Sequence, residues 1–174
     1  VGDTYFVHAE GSGAMTTSKQ IIDDTQVYMD RLAIKGLDDT VTQDYPNLDF
    51  TKLHLVSNDG LQEYIVMYGG YRAYLEVELS DVQSQLKVLE GHFQELYNIY
   101  IFKLANQRET EGLKKLTREE IRGACMSQST ELNSLRKEIL GEEAKSTRLG
   151  GLLNAYKAAY DAVSRIVTLR NLGG

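Results

Sequence analysis

Residues 61–106 read LQEYIVMYGGYRAYLEVELSDVQSQLKVLEGHFQELYNIYIFKLAN. Within this stretch Tyr68, Tyr71, Leu75, Leu79, Val82, Leu86, Leu89, Phe93, Leu96, Tyr100 and Leu104 follow one another at steps of three or four residues. That rhythm keeps them all on one face of a helix. An apolar seam of this length needs other long helices to cover it, from the same chain or from further copies. A compatible seam follows downstream, through Ile121, Cys125, Leu132, Leu135, Ile139, Leu149, Leu153, Tyr156, Tyr160, Val163 and Val167. Two matched seams predict an all-α fold: a long antiparallel, coiled-coil-like helical hairpin, completed by homo-oligomerisation.

Working outward, residues 107–117 form the expected connection of the hairpin, polar and containing Gly112. Thr117 followed by Glu120 has the spacing of a capping box, in which each side chain satisfies the other residue's backbone N–H. The second long helix is expected to start there. Gln128, Glu142 and Ser146 interrupt its seam, and polar residues at core positions set register or oligomeric state. Gly150-Gly151 is expected to bend or split it, leaving residues 152–172 as a basic terminal helix. Gly69-Gly70 marks a kink, a close helix crossing or a break.

Upstream, Asn58-Asp59-Gly60 is a strong turn signal. Residues 47–55 alternate partly, as a short extended segment would. Residues 37–60 read as an acidic linker holding the single proline, Pro46. Asp38, Asp39, Asp44 and Asp49 lack the order of a calcium loop. Thr17 and Gln20 form a second capping-box spacing ahead of Ile21, Val27, Tyr28 and Leu32, which predict a short helix closed by Gly36. Residues 1–14, with Gly11-Ser12-Gly13-Ala14 before Met15, read as an expression tag and linker. The expected organisation is therefore 1–14 tag, 15–60 amino-terminal helix and linker, and 61–172 helical hairpin.

Composition limits the function. The net charge of −6 is carried by residues 1–60, with ten acidic and four basic residues; residues 61–174 carry fifteen of each. The acidity therefore does not describe the hairpin. No run is apolar enough to span a membrane, and no signal sequence is seen. The lone Cys125 suits a reducing cytoplasm and fits the seam as a core thiol. His8, His54 and His92 form no metal-binding pair. A phosphate loop and a nucleophile elbow are both missing. Glu119-Glu120 and Glu142-Glu143 read as salt-bridged helix surface. The expectation is a non-enzymatic protein without cofactor or metal.

Two basic groups could meet phosphates: Lys103, Arg108, Lys114, Lys115, Arg118 and Arg122 around the connection, and Lys157, Arg165 and Arg170 near the end. By itself each reads first as ordinary solvated surface, Glu109, Glu111, Glu119 and Glu120 interleave the first, and the terminal group is the second choice for phosphate contact. Repeated around a ring, the first group would form a positive rim for single strands. Of the eleven tyrosines, those on the seams read as core; Tyr64, Tyr74 and Tyr97 lie off them and stay open.

Several stretches together resemble the phage UvsY-type recombination mediator family. They are Leu48-Asp49-Phe50-Thr51-Lys52-Leu53, the pairs Tyr68/Tyr71 and Tyr97/Tyr100, Glu131-Leu132 with Leu135-Arg136, and Tyr160-Asp161-Ala162-Val163-Ser164-Arg165-Ile166. The resemblance spans residues 16–172 and lies mainly in the order of parts. It implies a ring-like oligomer that binds single-stranded DNA and helps load a RecA-type recombinase onto strands covered by single-strand-binding protein, in the cytosol of a phage-infected host. Where the family carries basic residues late in the first long helix, this chain has His92-Phe93-Gln94-Glu95-Leu96, and its basic residues begin at Lys103. The competing expectation is a structural or interaction module, a phage assembly or host-regulating protein, with no nucleic-acid role.

Overall fold

A computed structural model describes residues 3–32 and 50–174. Among the described residues it is all-helical: α1 (Asp3–Asp30), a 3-10 helix (Phe50–Leu55), α2 (Asn58–Thr110), α3 (Arg118–Gln128) and α4 (Thr130–Leu172). The chain divides into two compact units, residues 1–28 with 82–145 and residues 29–81 with 146–174. We call them the turn unit and the tyrosine unit.

In the tyrosine unit the first part of α2 packs against the last part of α4. Tyr71 stacks on Tyr156 with ring centroids 5.0 Å apart, and Tyr68 lies 6.1 Å from the same ring. Lys157 pairs with Glu76 at 3.5 Å, and Arg170 donates to Asn58 Oδ1 at 2.8 Å. Contacts that climb α4 while descending α2 make the pair antiparallel. Leu61, Tyr71, Leu75, Leu149 and Val163 are fully buried. Burying side chains of this size stabilises by roughly 1.5–3 kcal/mol each.

The Gly69-Gly70 pair does not break α2, whose helix continues through both residues. A Cβ on Gly69 would stand 3.5 Å from the Tyr160 ring, so this glycine lies at the helix crossing. The expected turn at Asn58-Asp59-Gly60 is instead the first turn of α2. Ser57 caps it, its Oγ accepting from Gly60 N at 3.1 Å, and Asp59 complements the helix dipole. Residues 50–55, expected to be extended, form the 3-10 helix. Its Leu53 is buried, and Arg170 holds the His54 carbonyl at 2.9 Å.

In the turn unit α2 ends in a Schellman motif. Leu113 N donates to Arg108 O at 2.9 Å and Gly112 N to Glu109 O at 3.1 Å, with Gly112 at φ +67°. The capping box forms as expected: Thr117 N donates to Glu120 Oε2 at 2.7 Å, and Glu120 N to Thr117 Oγ1 at 3.2 Å. These bonds hold the Glu120 carboxyl below its ordinary range, with Arg108 adding a smaller pull. Cys125 is buried, which pushes its thiol up.

The return limb breaks at Ser129 rather than at Gly150-Gly151, and no separate terminal helix exists: α4 is continuous from Thr130 to Leu172. Ser129 is extended, at φ −111° and ψ 108°. Its hydroxyl accepts from Leu132 N at 3.1 Å, capping α4. The Asn133 amide donates to the carbonyls of Met126 and Ser129. The break therefore stands where two polar side chains satisfy the freed backbone groups.

At the amino end, α1 runs through Thr17, which is not a cap, and through Gly11-Ser12-Gly13. It ends at Asp30, short of the expected Gly36. Gly36, Pro46 and the acidic stretch 37–49 lie outside the described residues. Within the turn unit α1 lies along α4: Lys145 Nζ sits 5.0 Å from the Tyr28 ring centroid, and Thr25 is buried. Lys145 also pairs with Glu142 at 2.9 Å.

Candidate nucleic-acid interface

The structure treats the two expected basic groups differently. In the tyrosine unit Lys157 is tied to Glu76. Arg170 is spent on Asn58 and the His54 carbonyl, clamping the 3-10 helix to α4. Arg165 is exposed. Two of these three cations therefore hold the fold together.

In the turn unit Arg108 is also structural. Its Nε and Nη2 donate to the Lys114 carbonyl at 2.9 and 2.7 Å, folding the connection back onto α2. Lys103, Lys114, Lys115, Arg118 and Arg122 are exposed. No ion pair joins these five to a carboxylate among the described residues. Arg118 and Arg122 stand one turn apart on the same face of α3. Lys103 lies 5.9 Å from the Tyr100 ring centroid. Of the interleaved acids, Glu120 turns back to cap α3, and Glu111 accepts from Gln107 at 3.2 Å.

Two clefts open beside these cations. One, of about 580 Å³, is bordered by Leu104, Arg108, Leu113, Leu116 and Ile121. The other, of about 830 Å³, lies between α2 and α3, with Phe93, Tyr97 and Ile101 facing Arg118, Glu119 and Arg122. Phe93 and Tyr97 are half-buried, with ring centroids 5.9 Å apart and planes within 9°. Gln94 and Asn98, hydrogen-bonded to each other at 2.9 Å, share this cleft.

The other open tyrosines have local duties. Tyr64 stacks on Tyr68 at 6.0 Å. The Tyr74 hydroxyl is pushed up by burial, with the neighbouring Glu78 carboxylate adding to it. The pairing of Phe93 with Tyr97 is an i,i+4 spacing visible in the sequence, but its position opposite Arg118 and Arg122 is not. Also unannounced were the exposed Val66, Val77, Val88 and Ile99 on α2, at steps of eleven residues. That step advances three helical turns with a drift of about 20°.

Comparison with protein-family models, curated proteins and solved structures finds no match. Among the described residues no helix is long and apolar enough to cross a membrane.

Proposed function

We propose that the chain is a non-enzymatic, self-associating helical protein that binds single-stranded DNA at the connection of its turn unit. Its role would be that of a recombination accessory protein assisting a RecA-type recombinase on strands covered by single-strand-binding protein, within the cytoplasm of a phage-infected host. The observation that supports this is the group of five exposed cations, Lys103, Lys114, Lys115, Arg118 and Arg122, none of them paired to a carboxylate among the described residues. Lysine and arginine in that condition gain from phosphates without first giving up an internal partner, and bound counterions are released on contact. Arg108, Lys157 and Arg170 leave the contact set, because their donors already serve the fold.

Self-association rests on the half-buried state of Leu86, Leu89, Leu96, Tyr100 and Leu104, with Phe93 left to the cleft. A second copy laid along that face would complete their burial. The alternative, an interaction module without nucleic acid, draws on the exposed Val88, Ile99 and Phe102 of the same helix.

The test is binding of a labelled single-stranded oligonucleotide across a salt series, with duplex DNA as competitor. Each phosphate contact is expected to add roughly 0.7 to the slope of log affinity against log salt. Neutralising Lys114, Lys115, Arg118 and Arg122 to glutamine should flatten that slope. An affinity indifferent to both salt and these substitutions removes the DNA reading and favours the interaction module.

A further inference from the structure

Phosphate contact alone does not account for the contents of the cleft between α2 and α3. It brings together the near-parallel rings of Phe93 and Tyr97, the amides of Gln94 and Asn98, and the guanidinium groups of Arg118 and Arg122, with Ile101, Ile121 and Glu119 completing the lining. The rings come from α2 and the guanidinium groups from α3, so it is the Schellman turn at Gly112 and the capping box at Thr117 that set them face to face. A cleft meant only for apolar packing would not carry two cations and two amides. A purely electrostatic surface would not carry two rings.

We infer that this cleft is a base-binding platform for single-stranded nucleic acid, in which unpaired bases stack on Phe93 and Tyr97 while Arg118 and Arg122 hold the adjoining phosphates. The inference rests on the single-strand reading above and specifies how that site would work. Every base has a π-face, so stacking on aromatic side chains tolerates any sequence. Duplex DNA keeps its bases stacked inside and cannot use such a platform. The cleft's volume of about 830 Å³ lies within the roughly 300–1,000 Å³ of small-molecule sites, enough for planar rings. Its charged residues are Arg118, Arg122 and Glu119, a net positive set. Glu119 has no counterpart in the inferred contacts and works against phosphate, so its removal should tighten binding.

The experiment compares oligothymidine with an abasic oligonucleotide of equal length, which has the same phosphates and no bases. Wild-type protein should prefer oligothymidine by at least about fivefold. The double variant Phe93→Leu, Tyr97→Leu should lose that preference while keeping the salt slope. Arg118→Gln with Arg122→Gln should lower the slope for both strands. Circular dichroism checks that each variant keeps its helices. A second measurement does not depend on removing the rings. The chain has no tryptophan, so Tyr97→Trp supplies a single reporter. Oligothymidine should quench its fluorescence, and the abasic strand should leave it unchanged. Equal affinity for the two strands, or a preference that survives the double variant, overturns the platform and leaves the phosphate reading standing. Failure to bind either strand overturns both.

Discussion

The tyrosine unit and the turn unit are built on one continuous seam of α2, yet they bury it to different depths. From Leu61 to Leu75 the inward residues are at most 8% exposed; Leu79 is half-buried, and Val82, where the turn unit begins, is buried. From Leu86 to Leu104 every seam residue is only half-buried. The return limb shows no such decline: Cys125, Leu132, Leu135 and Ile139 of the turn unit are buried like Leu149, Leu153 and Val163 of the other. Periodicity therefore fixes which face points inward, whereas the cover depends on what lies opposite. In the tyrosine unit two long helices meet through interlocking rings. In the turn unit residues 93–101 of α2 border the short α3, and α1 touches α4 where Tyr28 meets Lys145.

The largest test of this contrast compares truncations at one ring from each unit. Tyr71→Ala empties a fully buried site and should cost about 3–5 kcal/mol, whereas Phe93→Ala should cost about half as much. Denaturant titration of the two variants at low protein concentration decides it, and equal losses would break the distinction. Next comes Gly112→Ala in the turn unit. The positive φ there is unfavourable for any residue with a Cβ, and a loss of about 1–2 kcal/mol is expected in the same titration.

In the tyrosine unit Gly69→Ala should act in the other direction. The new methyl would reach ordinary contact distance from Tyr160, and replacing a mid-helix glycine should raise stability by roughly 0.5–1 kcal/mol. A destabilised variant would mean that the crossing is tighter than its geometry indicates. The smallest effect belongs to exposed Glu120. Its carboxyl is held below the ordinary range by Thr117, so its contribution is present above the unfolded pKa of about 4.3. It fades as pH falls and is gone once pH drops below the lowered folded value. Thermal melts of wild type and Glu120→Gln should differ at neutral pH and converge in acid; a constant gap would place the effect elsewhere.

Local signals in the sequence translated well. The three-four spacing located both seams, and the Thr117–Glu120 box marked the start of α3 because capping is decided within four residues. Interruptions were less legible. A glycine pair suggested a break, but α4 passes through Gly150 and Gly151. Ser129, an unremarkable residue between Gln128 and Thr130, ends a helix because its hydroxyl and Asn133 together satisfy the freed groups. Gly11-Ser12-Gly13 suggested a spacer, yet the helix extends through it. At the candidate site, composition identified the cations without their partners. Arg170 meets Asn58 across more than a hundred residues of chain, and only the fold reveals that acceptor. For the same reason the sequence ranks the tyrosine-unit group second to the turn-unit group without showing that Lys157 and Arg170 are already engaged.

The break at Ser129 has a consequence for how the return limb can vary. In an uninterrupted helix each inserted residue turns everything beyond it by about 100°, so a length change near Arg118 would rotate the face that carries Tyr156. The extended residue at Ser129 absorbs that rotation. Insertions or deletions in α3 can alter the direction of Arg118 and Arg122 while α4 keeps its phase, so this segment can change length without turning the rings that α4 carries.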